Sequence, residues 1–280
     1  IMIIWLASYP KSGNTFLRSL LASYYFSEDG KFTFDILKNI QQFPNVELFN
    51  KIGVNLNDKY EIAKNYIKTQ ELINKSNNLQ FWKTHSSFCK MYNKFNFSDL
   101  NNSLGAIYLV RDPRNVITSF ANHNSKKIDE TTNLLLNDLA IGNEKNDVEV
   151  YMGSWAFNFN SWKIYKSSNK YLLVKYEDLV KNTKKVFISI LEFINKLSNK
   201  NLFIDDNKVN KVIETTNFKY MKNLENNYGF SEAKINSETG KKVNFFNLGP
   251  NNDWKKLLQD KYKKKIENSF KKEMLELGYL

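Results

Sequence analysis

The sequence is poor in cysteine, and this excludes two common means of stabilisation. Cys89 is the only cysteine among 280 residues, so neither an intrachain disulfide nor a cysteine-based metal site is available. Such a chain suits a reducing compartment, and we expect a cytoplasmic protein. Histidine is also scarce, since His85 and His123 are the only two, and each can be weighed individually.

Long apolar runs are missing as well. The first apolar run, residues 1–7, is too short for a secretory signal followed by a cleavage site, or for a membrane span. No later stretch reaches spanning length, and no membrane span is predicted. Glycine (10 residues) and proline (4 residues) are few, and neither a linker nor an internal repeat divides the chain.

The formal net charge of +12 at pH 7 fits an anionic ligand, nucleic acid or an anionic membrane. Lysine, asparagine and isoleucine are abundant throughout, which indicates a general compositional bias. No dense basic run is interleaved with aromatic residues, so we expect no nucleic-acid partner.

Short apolar segments alternate with helical patterns along the chain. This alternation predicts an α/β fold, in which a central, mainly parallel sheet is flanked by helices. Ligands of such sheets bind at the carboxyl ends of the strands. Lys11, His85 and Arg111 each come just after a predicted strand. The predicted strands are residues 1–6, 81–83, 105–110 and 171–174.

Other segments carry weaker signals. Residues 32–56 are mixed in character, and we expect them to be rich in loops. Asp112 and Pro113 are suited to the start of a helix, and Asn182 is expected to cap another helix. The apolar residues of 262–274 step by four and predict one helix ended by Gly278. The polar, locally acidic residues 126–150 predict either a solvated loop or a cover over a pocket.

The first strand leads into a turn and then a helix. This arrangement brings backbone N–H groups and the positive end of a helix dipole to one point, where an anion can bind. Gly13 allows close approach of a ligand to the backbone, and Lys11 adds a positive charge. Further donors come from Ser12, Asn14 and Thr15. The alternative is an exposed turn with a solvated lysine. An ATP-type loop is not matched, because Lys11 precedes the only glycine.

Two motifs resemble those of the sulfotransferase family. The run Tyr-Pro-Lys-Ser-Gly-Asn-Thr-Phe, which ends at Phe16, resembles the family's 5′-phosphosulfate loop. Arg-Asp-Pro-Arg, starting at Arg111 and followed by Ser119, resembles its 3′-phosphate motif. Ser119 lies about two helical turns after Arg111, so both can face one phosphate. A purely structural Arg–Asp pair is the alternative for the second motif.

Further segments are similar to the same family in the same order. Lys83-Thr84-His85 is similar to its Lys-Thr-His segment, in which the histidine is the general base. Without that resemblance His85 would be read as an ordinary histidine, and His123 is interpreted as structural. The resemblance also implies an adenine site, with Phe16 and Phe218 on either side of the base. The remaining residues it implies there are Tyr176 and Thr216.

The last motif matches only in part. Gly249 and Asp253-Trp254-Lys255 match the family's closing Arg-Lys-Gly-x-x-Gly-Asp-Trp-Lys segment, in which Asn252 replaces the second glycine. Asn247 and Leu248, however, stand where the family has Arg-Lys, so two cationic side chains that would bind the 3′-phosphate are missing. Lys241 or Lys242 could compensate for this loss.

The resemblance implies one sulfotransferase domain over residues 1–280, with a three-layer fold like that of the P-loop proteins. Its donor would be 3′-phosphoadenylyl sulfate (PAPS), leaving adenosine 3′,5′-bisphosphate (PAP), without a metal. The implied catalytic residues are His85, Lys11 and Lys83. The acceptor would be a small molecule or a glycan. If residues 126–150 cover its pocket, their acidic side chains would favour a cationic acceptor. A homodimer is possible. Two alternatives stay open: a P-loop kinase and a non-catalytic, basic nucleotide-binding protein.

Overall fold

A computed structural model describes residues 3–76, 78–143, 148–236 and 239–280. Parts of the predicted first strand (residues 1–2) and of the acidic segment (residues 144–147) lie outside the described residues. The strands are β1 (Ile3–Ser8), β2 (Gln80–Thr84), β3 (Lys90–Met91), β4 (Phe95–Asn96), β5 (Ser103–Val110), β6 (Ile141–Asn143), β7 (Glu149–Tyr151), β8 (Tyr171–Lys175), β9 (Lys234–Ile235) and β10 (Lys242–Val243).

Helices precede, separate and follow these strands. They are α1 (Asn14–Phe26), α2 (Val46–Lys51), α3 (Lys59–Lys64), α4 (Tyr66–Asn74), α5 (Pro113–Asn124), α6 (Ile128–Leu136), α7 (Trp155–Ser161), α8 (Tyr176–Lys181), α9 (Thr183–Ser198), α10 (Asp206–Thr216), α11 (Phe218–Tyr228), α12 (Trp254–Leu257), α13 (Asp260–Ser269) and α14 (Lys271–Glu276). Short 3₁₀ helices lie at Asp35–Asn39, Trp162–Tyr165 and Gly249–Asn251.

The central sheet has the strand order β2-β1-β5-β8, and every neighbouring pair in it is parallel. Three of its strands contain the segments predicted at 81–83, 105–110 and 171–174, and β1 overlaps the predicted strand 1–6 from Ile3 onward. Two-stranded antiparallel ribbons, β3–β4, β6–β7 and β9–β10, lie outside the sheet. The predicted α/β fold with a central parallel sheet is therefore confirmed.

Side chains alternate along each strand, and both faces of the sheet are buried because each packs into its own apolar core. Trp5 and Tyr108 belong to the core on one face, together with Trp155 of α7. Leu6 and Ile107 belong to the core on the other face, which helices α1, α9 and α10 cover. The sheet between these two cores forms the middle of three layers, and its strands are nearly continuous apolar runs for that reason.

The helix after β5 begins as predicted. The Asp112 carboxylate accepts a hydrogen bond from the Arg114 N–H at 2.9 Å, and Pro113 occupies the first helical position. Because Pro lacks an N–H and has a fixed φ, it fits this position without loss. Arg111 is thereby held between the end of β5 and the start of α5.

Several local predictions differ from the structure. Residues 32–56 contain a 3₁₀ helix and α2, which Asn45 caps through its side chain. Helix α9 starts after Asn182, but the Asn182 side chain makes no capping hydrogen bond. The C-terminal helix is interrupted at Phe270, whose buried ring packs 5.2 Å from that of Trp155. Gly278 does end the last helix, with a φ of 68°.

Arg114 holds the C-terminal helices on the start of α5. Its guanidinium is paired with Asp112 at 2.7 Å and with Glu267 at 2.5 Å, and it donates to the Tyr279 carbonyl at 2.8 Å. It also stacks on the Trp254 ring, 3.9 Å from the centroid. Only 7% of the Arg114 side chain is exposed, so solvent could not replace these partners if the guanidinium were lost.

We expect Arg114→Ala to lower the free energy of unfolding by about 3–5 kcal/mol, because it leaves the Asp112 carboxylate buried without its partner. Chemical denaturation measures this loss. Lys38→Ala is the control, since Lys38 pairs with Asp35 in an exposed position, where an ion pair stabilises little. Equal stability of the two variants would contradict the structural role given to Arg114.

Candidate active site

The loop between β1 and α1 is tied back to its own strand. Asn14 Nδ2 donates to the Leu6 carbonyl at 2.9 Å and to Ser8 Oγ at 3.0 Å. Lys11 and Gly13 both have positive φ, 65° and 97°, and this turn leaves the first N–H groups of α1 without helical partners. The Tyr176 ring lies against Gly13 so closely that a Cβ there would overlap it. The loop is therefore fixed and depends on glycine, and its place at a helix N-terminus would suit it as a cradle for an anion.

A cavity of about 1310 Å³ opens at this loop and extends along the carboxyl edge of the sheet. The structure brings most of the predicted site residues to its wall. They are Lys11, Gly13, Asn14, Thr15, Phe16, Lys83, His85, Arg111, Ser119, Tyr176, Phe218 and Gly249.

Two predicted site residues do not line this cavity. Ser12 is fully buried, and its hydroxyl has no hydrogen-bond partner. The Thr216 hydroxyl donates to the Val212 carbonyl at 2.7 Å, one turn back in α10. Asn217 and Phe218, the two residues after Thr216, face the cavity instead.

His85 is held by one of its two ring nitrogens. Its Nδ1 lies 2.9 Å from the Ser8 carbonyl oxygen, which can only accept, so Nδ1 carries the proton and donates. The other nitrogen, Nε2, is then unprotonated and can accept a proton. Burial, and then the charge of Lys83, hold the pKa of His85 well below 6.5. The ring is therefore a neutral base at pH 7.

Lys11 lies in a crowded, positively charged setting. Burial lowers its pKa from an ordinary 10.5 to about 7, and the carboxylate of Glu232 partly opposes this effect. Lys83, Lys234 and Arg111 each lower the pKa of Lys11 further. The Lys11 ammonium lies 4.0 Å from the centroid of the Phe245 ring. An anion bound beside Lys11 would raise its pKa and keep it charged.

Arg111 joins the first loop to the last motif. Its guanidinium donates to the carbonyls of Lys11 at 3.4 Å and Gly249 at 3.3 Å, and it lies 4.2 Å from the centroid of the Tyr176 ring. Its Nε is buried and has no partner. Gly249 lies against the Phe218 ring with no room for a Cβ. Sequence-distant motifs thus meet around one guanidinium group.

The end of the last motif has structural contacts. Trp254 N–H donates to Asn115 Oδ1 at 2.9 Å, and Asn252 Nδ2 donates to the Asn115 carbonyl at 2.7 Å. The Asp253 side chain caps α12 by accepting from the Lys255 N–H. These bonds dock the motif on α5 and leave Gly249 facing the cavity.

Four residues of the site were missed by the sequence-based predictions. Glu232, Lys234 and His123 line the cavity, and Arg18 pairs with Glu232 at its edge. Lys241 and Lys242, either of which could have compensated for Asn247 and Leu248, do not line the cavity, whereas Lys234 does. No motif marks Glu232 or Lys234. Arg18, one turn after Thr15 in α1, follows the loop closely enough to have been considered.

His123, which was interpreted as structural, packs edge-on against the Phe245 ring at 5.6 Å. Its pKa is lowered to about 3 by burial and then by Lys11 and Lys234, so it is uncharged at neutral pH.

Among the described residues, no group of three or more His, Cys, Asp and Glu side chains could hold a metal ion. Nor does that part of the chain contain a helix that is both long and apolar enough to cross a membrane.

The model of the sulfotransferase domain family matches residues 3–278, and the chain belongs to this family. Sulfotransferase 2A6 of Mus musculus is 28% identical over 181 residues, which cover 60% of this chain and 59% of that protein. The 3-beta-hydroxysteroid sulfotransferase of Cavia porcellus is 28% identical over 53% of this chain and 48% of its own length. The chain thus spans only about half to three fifths of these two relatives.

A longer match is to sulfotransferase 1E1 of Bos taurus, with 25% identity over 96% of this chain and 82% of that protein. A mouse sulfotransferase complexed with PAP superposes with a TM-score of 0.61 at 18% identity, covering 98% of this chain and 84% of the other. Retinol dehydratase in a complex with retinol and PAP gives 0.62 at 16% identity, with 97% and 81% coverage. These likenesses show that the fold is that of sulfotransferases.

We expect Lys11 to titrate with a pKa of about 7, because burial disfavours its charged form. Competitive labelling of amines as a function of pH measures this value. Glu232→Gln should lower the pKa of Lys11 further, because the carboxylate now raises it. A Lys11 that titrates near the ordinary lysine value of 10.5 would contradict the electrostatics described for this cavity.

Proposed function

We propose that the protein is a PAPS-dependent sulfotransferase that transfers a sulfuryl group to a hydroxyl or amine of a small acceptor. The observation that carries this proposal is the position of His85. His85 lines the same cavity as Lys11, Lys83 and the anion cradle, and its Nδ1 is held by the Ser8 carbonyl. A neutral base beside several cations and an anion loop suits the transfer of an anionic group.

The residues present fit such a donor. The loop after β1 offers backbone N–H groups at a helix N-terminus, the usual setting for a phosphate. Arg111 Nε is a buried polar atom without a partner, and a buried unpaired donor is costly unless a ligand satisfies it. Phe16 and Phe218 both line the cavity and supply the apolar ring faces that a base would need.

Each group would then have one task. Lys11, the loop from Ser12 to Thr15 and the start of α1 hold the 5′-phosphate, while Arg111 and Ser119 hold the 3′-phosphate. Phe16, Tyr176 and Phe218 enclose the adenine. Thr216 was assigned to the same group from the family resemblance, and its bond to Val212 favours a supporting role for it.

The reaction requires a proton acceptor and charge stabilisation. His85 Nε2 takes the proton of the acceptor hydroxyl, while Nδ1 stays bonded to the Ser8 carbonyl. Lys83 steadies the sulfuryl oxygens, and Lys11 neutralises the oxygen that leaves with the nucleotide. PAPS, when bound, supplies the sulfuryl group itself. Fixed charges of this kind act as in phosphoryl transfer, where positioning and electrostatics dominate.

The rest of the cavity wall indicates an apolar acceptor. Helix α6 and the β6–β7 ribbon, from the segment expected to be a solvated loop or a cover, contribute Leu134, Ile141 and Val150 to it. Pro44 and Val46 line the cavity as well. A small, largely apolar alcohol or phenol fits this lining better than a glycan or a cation. The relatives named for a hydroxysteroid and for retinol agree with that class. One domain over residues 1–280, a homodimer and a cytoplasmic location stay predictions.

Binding of nucleotides separates this function from its alternatives. PAP should raise the melting temperature of the protein and ATP with Mg²⁺ should not; a kinase would show the reverse. Transfer of labelled sulfate from PAPS to a panel of hydroxylated acceptors then tests the enzyme itself, in the presence of EDTA. A protein that binds PAP yet transfers sulfate to no acceptor would favour the non-catalytic alternative.

We expect His85→Ala to reduce turnover by about 10²–10⁴-fold, the usual contribution of a general base, while PAP binding is retained. In the unmodified protein, the acid limb of kcat/KM should lie well below pH 6.5. The lowered pKa of His85 keeps its imidazole neutral, and active, down to a pH below the pKa of an ordinary histidine. The pH–rate profile measures the limb.

His123→Ala is the matched control for His85, since it removes the other histidine of the same cavity. It should keep the acid limb that His85→Ala abolishes. Near-normal turnover of a well-folded His85→Ala variant would remove His85 from the mechanism.

We expect the 3′-phosphate of the donor to be worth at least about tenfold in affinity, or about 1.4 kcal/mol, because a guanidinium can bind it with two hydrogen bonds. Calorimetric titration of PAPS and of adenylyl sulfate, which lacks that phosphate, measures the preference. Arg111→Ala should erase most of it, and Asn247→Arg should strengthen it by restoring a cation that the family has there. Equal affinity of the unmodified protein for the two nucleotides would contradict the roles of Arg111 and Ser119.

A further inference from the structure

A carboxylate of the protein itself occupies part of the anion cradle. Glu232 Oε2 accepts a hydrogen bond from Thr15 Oγ1 at 3.1 Å, and Glu232 Oε1 pairs with Arg18 Nη1 at 2.6 Å. Thr15 is the residue whose hydroxyl is assigned to the donor's 5′-phosphate. Glu232 therefore already uses a donor group that an incoming phosphate requires.

The guanidinium of Arg18 lies beside Thr15 and the Glu232 carboxylate. It follows Thr15 by three residues in α1, so both side chains lie on one face of the helix. Its Nη2 donates to the carbonyls of Ile40 at 2.8 Å and Leu37 at 3.3 Å, and the side chain is only 8% exposed. These bonds fix Arg18, and Nη1 is the part of it that holds the carboxylate.

The electrostatics identify Glu232 as an anion in a cationic site. The charges of Lys83 and Arg18 hold its pKa at about 2 against the opposing effect of burial, so the carboxylate is ionised at neutral pH. Glu232 in turn raises the pKa of Lys11 and of His85. The same cations that are assigned to the donor thus act on Glu232.

Glu232 reaches the cradle on a segment that is fastened on either side. Before it, the Phe230 ring stacks on Phe34 at a centroid distance of 4.5 Å. After it, the N–H groups of Phe245 and Phe246 donate to the buried Glu225 carboxylate at 2.8 and 2.9 Å. Residues 231–234, between these attachments, line the cavity.

We propose that Glu232 is an internal competitor of the donor: its carboxylate occupies the Thr15–Arg18 part of the phosphate cradle, and the donor must displace it. This inference rests on the proposed function. Displacement releases the Thr15 hydroxyl and Arg18 Nη1 to the donor and removes a like charge from its phosphates. The state with Glu232 seated cannot accept the phosphate there, so the measured affinity is the intrinsic affinity reduced by the fraction of protein that is open.

The test is calorimetric titration of PAP into the full chain, Glu232→Gln and Glu47→Gln. Glu47 lines the same cavity and is exposed, so its variant matches the change in charge without touching the cradle. Glutamine keeps the shape of Glu232, and melting curves verify that each variant is folded. We expect PAP to bind Glu232→Gln about tenfold or more tightly than the unmodified protein, and Glu47→Gln to differ from the latter by less than about twofold.

Inorganic pyrophosphate is titrated into the same three proteins. Its binding is used to judge the inference only if none of the three proteins binds PAP. If PAP fails but pyrophosphate binds Glu232→Gln more tightly than the other two, the proposed function is wrong and the competing carboxylate stands. If Glu232→Gln binds PAP equally or more weakly than the unmodified protein, Glu232 supports the cradle and the inference is wrong. If Glu47→Gln gained as much affinity for PAP as Glu232→Gln, the effect would come from overall charge, and the inference would be wrong. It would also be wrong if none of the three proteins bound either anion.

Discussion

The structure depends on one constraint, which is that parallel strands of one sheet end at the same edge. Lys11, His85 and Arg111 come at or soon after the ends of β1, β2 and β5, and all three line the cavity at this edge, where parallel sheets bind their ligands. The edge therefore collects cations and one imidazole in a partly desolvated cavity. Desolvation then acts on all of them: it lowers the pKa of Lys11 to about 7 and keeps the His85 ring neutral.

Such a concentration of positive charge requires a counter-charge. The guanidinium of Arg111 is stabilised by hydrogen bonds to two carbonyls, and Glu232 supplies a full negative charge within the cavity. A site built in this way favours an anionic ligand over a neutral one, because the ligand replaces solvent and the internal carboxylate together. The proposed transfer of a sulfuryl group uses the same field, since charge develops on the oxygen that leaves.

The two arginines of the Arg-Asp-Pro-Arg motif serve different ends. Arg111 points along the cavity and contacts Gly249 and Tyr176, whereas Arg114 turns away to Asp112, Glu267 and the Trp254 ring. The second arrangement docks α12 to α14 on α5, and it places Gly249 against the Phe218 ring. Part of what resembles a ligand motif is therefore a structural clamp that gives the ligand residues their positions.

Local sequence was enough to predict the four strands of the sheet, the loop after β1 and the residues that follow three of the strands, because these depend on apolar runs and turn residues close together in the chain. It did not determine which hydroxyls face the cavity. Ser12 and Thr216 are buried away from it, since a turn with positive φ and a helical bond to Val212 direct their side chains. Glu232 and Lys234 were decided by tertiary structure alone. Glu232 meets Thr15 across 217 residues of sequence, and no local pattern marks it. The path of the segment after α11, set by the packing of Phe230 and by the bonds to Glu225, brings that carboxylate to the cradle.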